Sequence, residues 1–269
     1  MYTLLDAGRK IFTKIITDRL AKIITAHPIL SELNWAALPG NSTQDPIHIL
    51  NNIIEDAKEK KQQAWILSQD MSKAFDSVNI ERLCLALKRI KIPTGIINIL
   101  TSLFKDRQNA VITCHGLTEE YSVGDGIDQG DTISPLLWRI FYDPLISKIN
   151  TKYKGYCISS TKTKDIRDPK QKLKTHISVS AFMDDTTWIA PNQNQLQQIL
   201  NTATQFYNLN DIQVNPDKSQ LLIINGKSTD FNTGVSMDNT IIPGCKKSTP
   251  VHILGSGMTV LVTKNTKSN

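Results

Sequence analysis

Asp184 and Asp185 stand side by side between two apolar, strand-like runs, His176 to Met183 and Thr186 to Ala190. The pattern predicts a β-hairpin with both carboxylates at its tip. A turn accepts one Asp readily, because the side chain bonds nearby backbone; two together fix a dense negative charge at one point. A hard divalent cation with oxygen ligands neutralises such charge, and two such cations can drive an in-line phosphoryl displacement. The alternative is a solvated hairpin turn, and the pair alone does not choose between them. A carboxylate upstream adds weight to the catalytic alternative. Ala64 to Ser68 reads as a short buried strand running into Gln69-Asp70-Met71-Ser72-Lys73-Ala74-Phe75-Asp76, so Asp70 falls where that strand stops. Asp70 lies too far ahead of the next helix to cap it. Asp76 or Asn79 can serve as the cap, and Phe75 is either core or part of a substrate pocket.

Helices and strands must position these groups. Residues 9 to 26 predict an amphipathic helix with Ile11, Ile15, Ile16, Leu20, Ile23 and Ile24 on its apolar face. A polar loop over 34–46 leads to a helix from Ile47 to Lys60. After the first strand, Ile80, Leu83, Cys84, Leu87 and Ile90 keep helical spacing until Pro93. Residues 94–105 form another helix, with Thr94 as N-cap and Ile97, Leu100, Leu103 and Phe104 inward. Ala110 to Cys114 and Tyr121 to Val123 read as a strand pair, followed by a glycine-rich loop over 124–130. Leu136 to Ile149 is helical, and Pro144 within it predicts a kink or a break. The polar, basic stretch 159–175 reads as an exposed insertion. Asn192 to Tyr207 is a helix with Leu196, Ile199, Leu200, Ala203 and Phe206 on one face. Ile212 to Val214 and Gln220 to Ile224 are strands flanking an Asn-Pro-Asp-Lys turn. Strands within 64–70, 177–190 and 212–224 therefore predict an α+β arrangement: an antiparallel sheet with helices on one face.

Composition narrows the classes. The chain has 269 residues, 40% of them hydrophobic, and a formal charge of +6. A modest basic excess suits a polyanionic partner. Because the Asp-rich centre is acidic, the positive charge must lie elsewhere, at Lys10, Lys14, Arg19 and Lys22, at Lys58 to Lys61, and at Lys152 to Lys174. Cys84, Cys114, Cys157 and Cys245 include no Cys-x-x-Cys, which argues against zinc and against a disulfide framework and points to a reducing intracellular compartment. No apolar run reaches membrane-spanning length, and Lys10, Lys14 and Asp18 interrupt any signal-peptide pattern.

The motifs taken together resemble reverse transcriptases of non-LTR (LINE-like) retrotransposons. Asp70 to Val78, with Lys73-Ala74-Phe75-Asp76, is similar to their A motif, and Phe182-Met183-Asp184-Asp185 to their C motif. Between them Gly126 to Leu137, with Gln129-Gly130 followed by Ser134-Pro135 and an apolar helix, resembles the B motif. Asn215-Pro216-Asp217-Lys218-Ser219 is similar to the D motif, and Val251-His252-Ile253-Leu254-Gly255 to the E motif, or primer grip. Lys10 to Leu20 and Leu38 to Thr43 resemble fingers motifs, so the likeness covers roughly residues 4–256. Met183 and Trp138 depart from it, standing where Ala and Phe are more frequent.

The resemblance implies a right-hand polymerase: partial fingers over 1–63, a palm over 64–256 with fingers elements around 94–125 and an exposed insertion near 159–175, a frayed tail over 257–269, and no thumb. It implies an RNA-directed DNA polymerase that joins a dNTP to a primer 3′-hydroxyl on an RNA template. Two Mg²⁺ ions, with Mn²⁺ as a substitute, are expected on Asp70 and Asp184 as bridging ligands, with Asp185 as a third ligand and the Met71 carbonyl as an added one. Phe75 falls at the steric-gate position, which excludes a ribose 2′-hydroxyl. Gln129 and Gly130 line the nucleotide pocket, Lys73 contacts triphosphate or stays in solvent, and Lys218 reaches the pyrophosphate. Ile253, Leu254 and Gly255 hold the primer. Expected partners are RNA template, DNA primer, dNTP and the remaining domains of a longer retroelement protein, in nucleus or cytoplasm, with no membrane. The competing expectation is an inactive remnant that binds nucleic acid or a partner chain.

Overall fold

Ala64 to Leu67 carry apolar side chains on both alternating faces, a pattern suited to a strand covered on both sides. A computed structural model of the chain describes residues 5–162, 171–238 and 240–245. In chain order these form α1 (Ala7–Ala26), α2 (Gln44–Lys60), β1 (Ala64–Ser72), α3 (Ile80–Arg89) and α4 (Thr94–Ser102). Short strands follow: β2 (Arg107–Asn109), β3 (Ile112–Thr113), β4 (Gly116–Leu117) and β5 (Tyr121–Val123). Then come α5 (Ser134–Lys152), β6 (Tyr156–Lys162), β7 (Gln171–Ile177), β8 (Val179–Phe182), β9 (Asp185–Ala190), α6 (Gln193–Asn210) and β10 (Gln213–Ile224). The described residues end with α7 (Ser228–Thr233), β11 (Val235–Met237) and β12 (Thr240–Ile242).

Among the described residues the central sheet has four antiparallel strands in the order β10-β1-β9-β8. Because strand side chains alternate, Trp65 and Leu67 face one way and join Trp188, Leu221 and Ile223 against α3, α5 and α6. Ala64 and Ile66 face the other way and join Ile189, Leu222 and Ile224 against Leu50, Ile53, Ile54 and Ala57 of α2. Helices thus cover both faces, where the sequence pattern predicts cover on one. Buried apolar surface stabilises this sandwich at about 25 cal/mol per Å². The free edge of β8 is closed by the loop before α2: Ala181 N–H donates to the Leu33 carbonyl, and Trp35 N–H donates to the Ala181 carbonyl. Such cover prevents edge-to-edge pairing with another chain.

Several elements differ from expectation for identifiable reasons. α1 is rotated, so that Ile11, Ile15 and Ile23 are exposed while Thr13, Leu20, Ala21 and Ile24 are buried. Polar anchors override the apolar pattern here: Arg9 pairs with Asp128 and Asp131, and the Thr13 hydroxyl meets that of Thr132 at 3.0 Å. α5 runs unbroken through Pro144 because its flanks are buried and Asp143 is tied to Arg89 and to the Ser31 N–H. β2 pairs with β5, and β3 with β4, so the strand pair starts at Arg107 and reaches its tip at 113–116. The stretch read as an insertion is largely a hairpin of β6 and β7, in register from Tyr156↔Ile177 to Lys162↔Gln171, with 163–170 outside the described residues. Pro93, not Thr94, occupies the cap position of α4, with no side-chain bond. All four cysteines are free, and no helix among the described residues is long and apolar enough to cross a membrane.

Candidate active site

β1 and β9 pair through Gln69↔Thr186. One step further along that ladder stand Asp70 and Asp185, on the face opposite to Gln69 and Thr186. Along this face the side chains grade from apolar to acidic: Ile66, Ser68 and Asp70 on β1 run beside Ile189, Thr187 and Asp185 on β9. β1 extends to Ser72, so Asp70 lies within the strand, paired with Asn215, rather than at its end. Between Asn215 and Gln220 the partner strand leaves register, and residues 216–219 bulge outward. The Asn215 side chain accepts from the Lys218 N–H at 3.3 Å, and its carbonyl accepts from the Ser219 hydroxyl at 2.9 Å. This bulge brings the exposed Lys218 ammonium to 3.6 Å from Asp70. It is the Asn-Pro-Asp-Lys turn set inside one long strand.

The hairpin turn itself is Met183-Asp184. Asp185 is the first residue of β9 and pairs with Phe182, so one carboxylate lies in the turn and the other in the strand. Met183 takes a left-handed φ of +55°, which favours glycine and costs a side chain roughly 1 kcal/mol. Its carbonyl is held at 2.8 Å by the indole N–H of Trp138. The Trp138 ring stacks on Tyr142 (centroids 5.4 Å apart) and meets Phe75 at 6.1 Å. One buried indole therefore supports both the turn and the A-motif aromatic ring.

Three carboxylates converge. Asp185 is pushed up to about 6, first by desolvation and then by the charges of Asp184 and Asp70. Asp184 is raised as well, by partial desolvation and by Asp70, against a lowering bond from its own N–H. Beside them a cavity of about 430 Å³ is lined by Lys73, Ala74, Phe75, Asp76, Gln129, Met183 and Asp184. Lys73 is exposed and left-handed at φ +52°. Met71 is buried, with its backbone paired to Val214. Asn79 caps α3 by accepting from the Arg82 N–H, which leaves Asp76 to the cavity wall. Two backbone bonds clamp the loops across the cavity: Ile127 N–H to the Phe75 carbonyl at 2.9 Å and Gly126 N–H to the Val78 carbonyl at 2.8 Å. Gly126 is required there, since a Cβ would sit 2.9 Å from the Asp76 carbonyl and its φ is +91°.

The residues that secure Gln129 and Gly130 were not identified from the sequence. Asp128 and Asp131, buried on either side, pair with Arg9, and Asp128 also pairs with Arg107. Both guanidinium groups lie 5.5 Å from the Phe104 ring centroid, within cation–π range. Arg107 also donates to the Asp125 and Gly126 carbonyls. The visible signal was an Asp on each side of Gln-Gly; nothing local names Arg9, 119 residues from Asp128, or Arg107, 21 residues from it, as partners. Ile253, Leu254 and Gly255 lie outside the described residues. Among the described residues no group of three His, Cys, Asp or Glu side chains is already set to hold a metal ion. What fits a divalent cation is the concentrated negative charge: Asp184 and Asp185 are both pushed toward protonation, first by desolvation and then by their carboxylate neighbours.

The family model described as reverse transcriptase (RNA-dependent DNA polymerase) matches residues 1–258. The chain is similar to the retrovirus-related Pol polyprotein from type-1 retrotransposable element R2 of Popillia japonica. They are 26% identical over 219 residues, covering 81% of this chain and 28% of that protein. It is also similar to the probable RNA-directed DNA polymerase from transposon BS of Drosophila melanogaster, at 25% identity over 81% of this chain and 22% of the relative. The chain thus spans less than a third of the length of these curated relatives. Among solved structures, telomerase from Candida albicans with a TWJ fragment of telomeric RNA superposes with a TM-score of 0.57 at 15% identity, covering 96% of this chain and 40% of that one. That likeness shows the fold.

The raised Asp185 carries a stability consequence. An acid whose folded value exceeds its unfolded one adds stability only at low pH and loses it as pH rises through the folded value. Discounted for solvent contact, the penalty above pH 6 is on the order of 1 kcal/mol, or roughly 2–4 °C in Tm. Asp185→Asn is expected to raise the Tm of metal-free protein by that amount near pH ~8, with the two curves converging below pH ~4. Equal melting temperatures at the higher pH contradict the crowding.

Proposed function

The chain belongs to the reverse transcriptase (RNA-dependent DNA polymerase) family, as a domain of the non-LTR retrotransposon kind, and from that premise we propose that it is an RNA-directed DNA polymerase module. It joins a dNTP to the 3′-hydroxyl of a DNA primer on an RNA template, within a longer retroelement protein. The observation that carries the reading is the convergence of Asp70, Asp184 and Asp185 beside a cavity with room for a nucleotide.

In this reading Asp70 and Asp184 hold two Mg²⁺ ions, or Mn²⁺ in their place, with Asp185 and the Met71 carbonyl as further ligands. Bound metal supplies charge neutralisation of the attacking and leaving oxygens. Mg²⁺ takes one or two carboxylates together with substrate phosphates and water, which suits a ligand set that the protein alone leaves open. The protein's own contribution is positioning and electrostatics, the main demands of phosphoryl transfer. Lys218 waits against Asp70 in a weak, solvent-exposed pair and is free to turn to the pyrophosphate. Phe75, braced by Trp138, closes the sugar side of the cavity. Gln129 forms part of its wall, whereas Gly130, left-handed and next in the chain, is not among the lining residues; Lys73 at its rim meets the triphosphate.

The division of the chain follows the same reading. Residues 1–63 are fingers, 64–256 palm with fingers elements around 94–125 and an insertion near 159–175, and 257–269 the tail. Ile253, Leu254 and Gly255 are the primer grip.

Mg²⁺-dependent extension of a DNA primer on an RNA template tests this function. Parent extension and a loss of at least about 10³-fold in Asp184→Ala are expected. No extension by a folded parent contradicts it and favours a remnant that binds nucleic acid or a partner chain. Phe75→Val is expected to improve rNTP over dNTP use by roughly 10–100-fold in kcat/KM; unchanged discrimination removes Phe75 from the gate.

A further inference from the structure

Directly behind the carboxylates, on the face of the sheet packed against α5 and α6, lies a buried polar chain. Gln69 and Thr186 are cross-strand partners, each about 1% exposed. The Trp188 indole N–H donates to Gln69 Oε1 at 2.8 Å. An indole nitrogen only donates, so the Gln69 amide is oriented with Nε2 toward Tyr207, whose hydroxyl accepts at 2.8 Å. The Tyr207 and Tyr142 hydroxyls are 2.8 Å apart, and Tyr142 reaches the Thr186 hydroxyl at 3.1 Å. The chain closes a circuit through β1, α6, α5 and β9. It begins one residue before Asp70 and ends one residue after Asp185.

We propose that the Gln69–Tyr207–Tyr142–Thr186 chain is a positioning device that keeps Asp70 and Asp185 side by side across the β1–β9 ladder for metal binding; this rests on the polymerase reading above. The four residues touch no substrate and act through the backbone of the two strands. An apolar core at these positions supplies burial without direction. Hydrogen bonds instead define one register and one lateral spacing, and a fully satisfied buried network is rigid. The need is specific to this end of the sheet, where carboxylates on neighbouring strands repel each other. A one-residue slip of β1 on β9 turns Gln69 to the opposite face and breaks the circuit at once. Both tyrosines are deeply buried and raised well above the ordinary phenol value by desolvation, so they remain protonated hydrogen-bonding groups across the working pH range.

The full chain is compared with Tyr142→Phe and Tyr207→Phe, each of which keeps its ring and loses one hydroxyl, with Asp184→Asn as control. One readout is the Tm shift caused by Mn²⁺ alone, without nucleic acid or dNTP; the other is kcat and KM for dNTP in primer extension. The metal shift is a difference within one variant, so general destabilisation cancels. Both tyrosine variants are expected to lose about half or more of the metal shift and about tenfold or more in kcat, with KM within about twofold of the parent. Should Tyr207→Phe fail to fold, Tyr142→Phe decides, because it leaves Gln69 bonded to Tyr207. Parent-like metal shift and kcat in the folded variants, with Asp184→Asn inactive, overturn the positioning role and leave the polymerase reading standing. An inactive parent, or an active Asp184→Asn, overturns the polymerase reading and this role with it.

Discussion

The antiparallel register of β1 against β9 is the constraint on which the site depends. Gln69↔Thr186 is its last ladder pair, and it sets Asp70 beside Asp185 at the sheet's exposed end. Carboxylates brought together in this way repel, and that repulsion adds to desolvation in raising Asp184 and Asp185. The surrounding structure must hold that repulsion until a cation relieves it. Packing on both faces fixes the register further down the strands, through Ile66 and Ile189 on one side and Leu67 and Trp188 on the other. Nearer the carboxylates, hydrogen bonds take over from apolar contacts.

A second consequence concerns how distant segments reach the cavity. The A-motif loop, the Gln129-Gly130 loop and the Met183-Asp184 turn are all short and polar, and each is tied to something rigid. Trp138 holds the turn, backbone bonds clamp Phe75 and Val78 to Gly126 and Ile127, and Arg9 and Arg107 anchor Asp128. Through Arg9, α1 is joined to the Gln129-Gly130 loop, which accounts for its rotation away from the apolar pattern. A buried ion pair contributes little net stability over an apolar alternative, yet losing one partner leaves a costly buried charge. Such pairs serve geometry better than stability.

Much of this was legible in the sequence. The α+β arrangement and its antiparallel sheet followed from apolar periodicity, and the right-hand polymerase fold from the resemblance carried by the ordered motifs. Asp70, Asp184 and Lys218 do come together, and Phe75, Gln129 and Lys73 do line one cavity. What escaped was non-local. No periodicity reveals that Arg9 outranks Ile11 and Ile15 in setting the inward face of α1, that Pro144 is tolerated inside a buried helix, or that α2 covers the second face of the sheet. The split of the Asp pair between turn and strand also escaped. A two-residue turn can be centred on Met183-Asp184 or on Asp184-Asp185, and the choice depends on a hydrogen bond from Trp138 that lies 45 positions upstream.

Asp70 and Asp185, adjacent through the β1–β9 register, are proposed to share a divalent cation with Asp184. Mn²⁺ titration of the full chain followed by electron paramagnetic resonance tests it most directly, with the parent compared to Asp70→Asn. Saturable binding by the parent in the presence of dNTP, and weakening of about tenfold or more in Asp70→Asn at an unchanged fold, are expected. Equal binding by the two proteins contradicts it.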